Sequence, residues 1–381
     1  MTVATAQLTA AGTLARVDWP FLAAAVLIAT ILVALVLIDG QPASAGLILS
    51  GFALGTVFLK AELSFTASWR RFLTQGDADG LLAALLLIAI AAMVIVPAAA
   101  LVSGFGGAIA PLGPALLIGA FVFGIGMQLA NGCGSGTLYT AGGGSGRMLM
   151  TLVFFILGSL AGSLQLPAFL ALGGIDPVIA SAYAGPWGGL ALTLASLGLA
   201  GVLIAGLAHC RGGKLRPPTA LVIGAVAVGL LSIAVFAFGR HPWSVTFGFT
   251  LWGGKIASAL GADLSGAPFW QWPGPKRALG DSVLSDTSSL TDFGMILGAM
   301  AAAATQPFAR RQWPSLSSLV AAALGGALMG WGARLGFGCN IGAFVGGVAS
   351  GSLHGWVWFA AALAGCAVGI RVRPVFGLSR E

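Results

Sequence analysis

Between Asp79 and Arg147 the chain runs for 67 residues without an aspartate, glutamate, lysine or arginine. A hydrocarbon core about 30 Å thick is crossed by roughly 20 helical residues, so this stretch holds more than one crossing. In lipid every backbone amide must find its partner within the protein, which leaves helices or a closed barrel. The alternation of barrel strands is absent. The expected fold is therefore an all-α polytopic membrane protein. Composition agrees: 58% of the 381 residues are hydrophobic and 8% charged, against about 25% charged in soluble domains.

Apolar segments fall near 20–38, 43–59, 81–103, 111–130, 148–171, 186–208, 218–239, 243–261, 293–306, 318–335 and 356–370. Several are short enough to be half-helices. The expected organisation is an N-terminal segment 1–19, a first membrane half 20–185, a second half 186–370 and a basic tail 371–381. The second half contains a loop at 263–292 expected to be polar and exposed, with Asp263, Lys276, Arg277, Asp281, Asp286 and Asp292. The apolar run from Pro20 to Ile38 exceeds a signal-peptide core, so no cleaved signal is expected.

The net charge is +7. Its basic residues sit in short connections, at Arg211-Lys214-Arg216, Arg310-Arg311 and Arg371-Arg373-Arg380. That placement fits the positive-inside rule, and attraction of an anionic solute, better than a nucleic-acid surface. The four cysteines, Cys133, Cys210, Cys339 and Cys366, are too few and too scattered for a disulfide framework. No metal site of zinc spacing and no GxxxxGK[ST] nucleotide loop is present, and no cofactor is expected.

An internal match is the most informative motif. Gly119, Gly124, Gly126, Leu129, Gly132, Cys133 and Gly136 align without gaps on Gly325, Gly330, Gly332, Leu335, Gly338, Cys339 and Gly342, at an offset of 206. A weaker match sets Ser64-Phe65-Thr66 against Gly248-Phe249-Thr250 at an offset of 184. Repeats with breaks in corresponding positions point to a solute pathway at the repeat interface. Inverted and parallel repeats both fit the sequence, and a duplicated scaffold with mere kinks is the bland alternative.

The two breaks read Asn131-Gly-Cys-Gly-Ser-Gly-Thr137 and Phe337-Gly-Cys-Asn-Ile-Gly-Ala343. Glycines expose amide N–H groups, and a helix starting after such a loop turns its positive end toward it, which suits an anion. A neutral thiol adds a soft, weak donor that matches sulfur. The candidate site is Cys133 and Cys339 with Asn131, Gly134, Asn340 and Gly342. Ser64, Thr66, Thr250, Lys255 and Arg334 are further candidates, and Arg70, Arg71, Arg147 and His354 weaker ones. Cys366 is expected to be a packing residue. No catalytic set is visible around either thiol.

With these residues in view, the chain resembles the YeeE/YedE family of membrane proteins, linked to thiosulfate and other sulfur compounds. The resemblance lies in NGCGSGTLYTAGGGSGR at 131–147, HPWSVTFGFTLWGGK at 241–255 and GARLGFGCNIGAFVGGVASGSLHGWVWF at 332–359. It implies an hourglass-shaped permease with short helices dipping in from both sides to a central constriction. Cysteines there, Cys133 and Cys339 in this chain, would pass the anion along. It also implies a bacterial inner-membrane location and a cytoplasmic sulfur carrier of the TusA type, or a rhodanese, as partner. Family members can carry a third cysteine in the first Phe-containing segment, which here reads Leu63-Ser64-Phe65-Thr66; Ser64 or Thr66 would offer a hydroxyl instead. The expected function is inward passage of thiosulfate or a related small sulfur anion. A selenium or other sulfur compound is an alternative solute. The other readings are a membrane sulfurtransferase with Cys133 or Cys339 as nucleophile, and a scaffold for a soluble sulfur carrier.

Overall fold

The computed structural model describes residues 17–306 and 314–380. Arg310, Arg311 and most of the N-terminal segment lie outside the described residues. The helices are α1 (Trp19–Ile38), α2 (Pro42–Lys60), α3 (Phe65–Gln75), α4 (Asp79–Leu101), α5 (Pro114–Ala130), α6 (Gly134–Gly142), α7 (Gly146–Leu170) and α8 (Ala180–Cys210). They continue with α9 (Thr219–Gly239), α10 (Thr246–Ala259), α11 (Pro268–Gln271), α12 (Pro273–Gly280), α13 (Thr287–Ala303), α14 (Leu316–Leu335), α15 (Gly346–Ala349) and α16 (Leu353–Val372). A π-helical turn, Asn340–Val345, leads into α15. Among the described residues nine helical stretches are long and apolar enough to cross a membrane, and the protein is a multi-pass membrane protein.

Local chemistry sets the ends of these helices. Asp18, Ser145 and Ser315 cap α1, α7 and α14 through their side-chain oxygens, which satisfies amides that the first turn leaves free. Gly76 ends α3 in a left-handed conformation, a role glycine fills without steric cost. α8 breaks at Gly185, where φ is 70°, just before Pro186.

Glycine decides how the helices pack. A Cβ at Gly119 on α5 would lie 2.7 Å from the carbonyl oxygen of Gly332 on α14, and one at Gly325 would lie 2.7 Å from that of Gly126. Residue number rises along α5 as it falls along the facing edge of α14, so the two helices run antiparallel. The same reciprocity recurs around them. Gly158 of α7 abuts the Ala327 carbonyl of α14, and Gly365 of α16 abuts the Phe121 carbonyl of α5. In lipid, such close approach of small residues supplies much of the association between helices. α1 and α8 are peripheral and mostly exposed along their lengths.

Hydrogen bonds between connections sort the helix ends onto two faces. On one, Arg70 and Arg373 both reach Asn131, Arg147 reaches Ser318, the Ala78 amide donates to Lys214, and the Asp18 amide donates to Ala304. On the other, Leu112 bridges Ile175, Ile179 bridges Ser352, and the Gly106 amide donates to Arg240. The first face gathers Lys60, Arg70, Arg71, Arg147, Arg211, Lys214, Arg216, Arg371 and Arg373, with Asp18, Glu62, Asp77 and Asp79. The second carries Asp39, Asp176, Asp263, Asp281 and Asp286, with Arg240, Lys276 and Arg277.

Two sequence expectations change here. The segment 263–292 is not an exposed loop throughout. It contains α11 and α12, buries Phe269 and Trp270, and its last residues are the first turns of α13, with Asp292 fully buried. The cluster of charges masked a helix start. The upstream match also shifts. Phe65 and Thr66 begin α3, whereas Phe249 and Thr250 lie inside α10, which starts three residues earlier at Thr246.

Candidate functional site

Four short helical segments begin inside the protein, and their starts converge. Ser64 caps α3, accepting from the Ala67 amide at 3.2 Å. Cys133 caps α6 with its sulfur, which accepts from the Gly136 amide at 3.3 Å and lies 3.4 Å from the Ser135 hydroxyl. Cys339 opens the π-helical turn, and α10 follows Val245. A Cβ at Gly134 would stand 3.0 Å from the Cys339 sulfur and 3.5 Å from the Thr246 methyl carbon. Tyr139 of α6 donates to the Leu63 carbonyl just before α3. The Trp69 ring of α3 meets Phe344 of the π-helical turn edge-on. Each helix start bears partial positive charge on its free amides.

The two breaks share a backbone shape. Asn131 and Phe337, equivalent at the offset of 206, are both left-handed with φ of 61° and 60°. A non-glycine residue there is disfavoured, most of all one as bulky as phenylalanine. Cys133 and Cys339 are extended with φ, ψ of −100°, −169° and −110°, −165°. Both thiols are buried, at 2% and 0% exposure.

The other predicted residues divide. Asn340 is fully buried and neither polar atom of its amide has a partner; the Thr66 hydroxyl is likewise buried and unpartnered. These are groups a polar solute would satisfy. Gly342 lies beside the Ser244 hydroxyl. Asn131 sits next to the first break, but its side-chain oxygen is taken by Arg70 at 2.8 Å and Arg373 at 3.2 Å. Thr250 bonds back to the Thr246 carbonyl. Lys255 reaches away from the cysteines and donates to the carbonyls of Leu279 and Asp281 at 2.9 and 2.6 Å, holding the end of α12. Arg334 lies over the Phe269 ring, 5.1 Å from its centroid, in a cation–π contact. Among the weaker candidates, Arg147 donates to the Leu129 and Ala130 carbonyls at the end of α5, and buried His354 pairs with the Ser352 hydroxyl. Cys366 packs within α16, donating to the Gly124 carbonyl.

A cavity of about 510 Å³ opens on the second face. His241, Trp243, Ser244, Arg277, Asp286, Ser288 and Thr291 are among the residues that line it. Ser244, in its wall, is the residue beside Gly342, so one wall of the cavity backs onto the second break. Ser244, Thr246 and Asp292 are absent from the sequence-derived set. The first two flank Val245 in the quoted 241–255 stretch; Asp292 was hidden in the supposed loop.

Comparison with known proteins sets the chain beside sulfur transporters. The profile of the family described as Sulphur transport matches residues 60–368. The probable transporter YedE of Salmonella typhimurium is 34% identical over 155 residues, 40% of this chain and 37% of that protein. YedE of Escherichia coli is 33% identical over the same shares. The thiosulfate transporter TsuA of Spirochaeta thermophila is 30% identical over 265 residues, 63% of this chain and 72% of its own. The match thus spans well under half of the two YedE chains.

Proposed function

The chain belongs to the Sulphur transport family, and from that membership we propose that it is a permease for inward passage of thiosulfate or a related small sulfur anion. The observation that carries this reading is the meeting of the two breaks, with Gly134 against the Cys339 sulfur. Opposed helix starts offer an anion their free amides, and Asn340 and Thr66 offer unsatisfied polar groups beside them. The thiols add soft donors matched to the terminal sulfur of thiosulfate. The solute enters by the cavity on the second face, passes Cys339 and Cys133, and leaves on the first.

The reciprocal glycine contacts of α5 with α14 support two halves related as inverted repeats. Helices related by a two-fold axis along the membrane normal would run parallel, and these run antiparallel. The excess of lysine and arginine on the first face supports its placement in the cytoplasm of a bacterial inner membrane. A TusA-like carrier or a rhodanese would consume the solute there. The partners of the Cys133 sulfur, a serine hydroxyl and a backbone amide, favour a relay over nucleophilic chemistry, which calls for a base in contact.

Growth tests the proposal. A bacterium without its own thiosulfate uptake, given this protein, should grow on thiosulfate as sole sulfur source. Cys133→Ala and Cys339→Ala, present in the membrane at equal levels, should not support growth. Equal growth of all three would remove the cysteines from the pathway.

A further inference from the structure

One buried carboxyl group stands outside the cysteine pair. Asp292, in the second turn of α13, is 0% exposed, and neither of its oxygens has a hydrogen-bond partner. A Cβ at Gly248 would lie 2.7 Å from its Oδ2, so the carboxyl rests on the first turn of α10. That turn starts at Thr246, which borders Gly134 where the breaks meet. Within the same stretch of α13, Ser288 and Thr291 line the cavity of the second face, and Asp286 stands at the entry to the helix. The acid therefore lies between outer water and the meeting point of the breaks.

Its surroundings hold no cation for it. Among the described residues the one ion pair is Arg71 with Asp77. Lys255 of α10 is bound to the carbonyls of Leu279 and Asp281. The remaining ionisable groups around it are Asp286 before α13, Tyr139 on α6, and Cys133 and Cys339 at the breaks. Arg277, Asp281 and His241 sit in the cavity wall. α1 carries no ionisable side chain, and that of α2 is Lys60 at its far end. An unpaired carboxylate in a dry interior is strongly disfavoured. One set against helix starts that attract an anion would also repel that anion. The neutral acid removes both conflicts.

We propose that Asp292 carries a proton inward with the anion, which makes the protein a proton–anion symporter; the inference rests on the anion-permease reading. Outer water in the cavity gives a proton to the carboxylate, forming the O–H bond. The anion then occupies the meeting point beside a neutral acid. When the site opens to the first face, that O–H bond breaks, the proton passes to water there, and the carboxylate is restored. Nothing is oxidised or reduced. One proton offsets one of the two negative charges of thiosulfate.

The test uses the purified full chain in liposomes, with radiolabelled thiosulfate outside and a pH-sensitive dye inside. Wild-type uptake should be severalfold faster with acid outside and should acidify the lumen. Asp292→Asn should keep uptake without a gradient and lose both the acceleration and the acidification. Asp292→Glu should restore them. Uptake by the wild type without acidification, or a full proton response in Asp292→Asn, would overturn the symport and leave the permease standing. Absence of wild-type thiosulfate uptake would overturn the permease reading and the symport with it. The wild-type dye signal decides the matter even if a variant fails to fold.

Discussion

Gly119 and Gly332 face each other across the α5–α14 crossing with no room for a methyl group on either. Val at position 119 should therefore separate the two helices. Overpacking of this kind costs about 1–3 kcal/mol and more where backbone cannot yield. The expected result is a marked fall in the thermal midpoint of the detergent-solubilised protein. Gly146→Ala, where a Cβ meets nothing within 4 Å, should leave it unchanged.

Serine at position 133 separates the two tasks of that side chain. Serine is a strong helix cap, so Cys133→Ser should keep or raise the thermal midpoint. Thiosulfate uptake should nonetheless fall about tenfold, equivalent to the loss of some 1.4 kcal/mol in contact with the anion. Unchanged uptake would show that capping is all the sulfur does.

Lys255 should prove to be a fastener. Its two hydrogen bonds hold the end of α12, and a charged donor of this kind contributes about 1.5–3 kcal/mol. Lys255→Met should expose residues 273–286 to limited proteolysis several times faster than in the wild type. Cleavage at the wild-type rate would place its role elsewhere.

Asp286 combines a favourable cap with an unfavourable charge. Its carboxylate accepts from the Ser289 amide and hydroxyl, each at 2.7 Å. Burial still pushes the carboxyl above its ordinary range, against the opposing pull of those hydrogen bonds. The folded state then binds the proton more readily than the unfolded one, so the charge destabilises the fold at neutrality and that loss is recovered as pH falls through the raised value toward the ordinary carboxylate range. Asp286→Asn should keep the cap, remove that pH dependence and leave stability at pH 7 equal or higher. Asp286→Ala should also lose that pH dependence and lie about 1 kcal/mol below Asp286→Asn at every pH, for want of the cap. Thermal midpoints between pH 7 and pH 4.5 distinguish the two.

The long lipid-facing helices were legible because hydropathy alone specifies them: segments such as 43–59 and 318–335 match α2 and α14 within two residues. The paired Gly-Cys breaks were legible because cysteine is rare here and recurs at a fixed offset. Of the shorter inner helices, 243–261 anticipated α10 and 293–306 most of α13, whereas α3 and the start of α13 were missed. α3 reads FTASWRRFLTQ and α13 begins TSSLTD; both are wrapped by other helices, so neither needs a continuous apolar surface. Lys255 and Arg334 looked like solute contacts because a charge in an apolar run invites that reading. The partners they have in this structure, the end of α12 and the Phe269 ring, come from the 263–286 segment, whose folding back no local pattern announces.

The burial of Cys133 and Cys339 has a consequence for the cell that holds this protein. An energised membrane stores its working voltage across a few nanometres, and any standing aqueous hole discharges it. Cys133 and Cys339 are 2% and 0% exposed, so neither sulfur offers a water-soluble alkylating reagent a ready surface in this conformation. The rate at which such a reagent reaches them therefore measures how often, and for how long, the surrounding helices part.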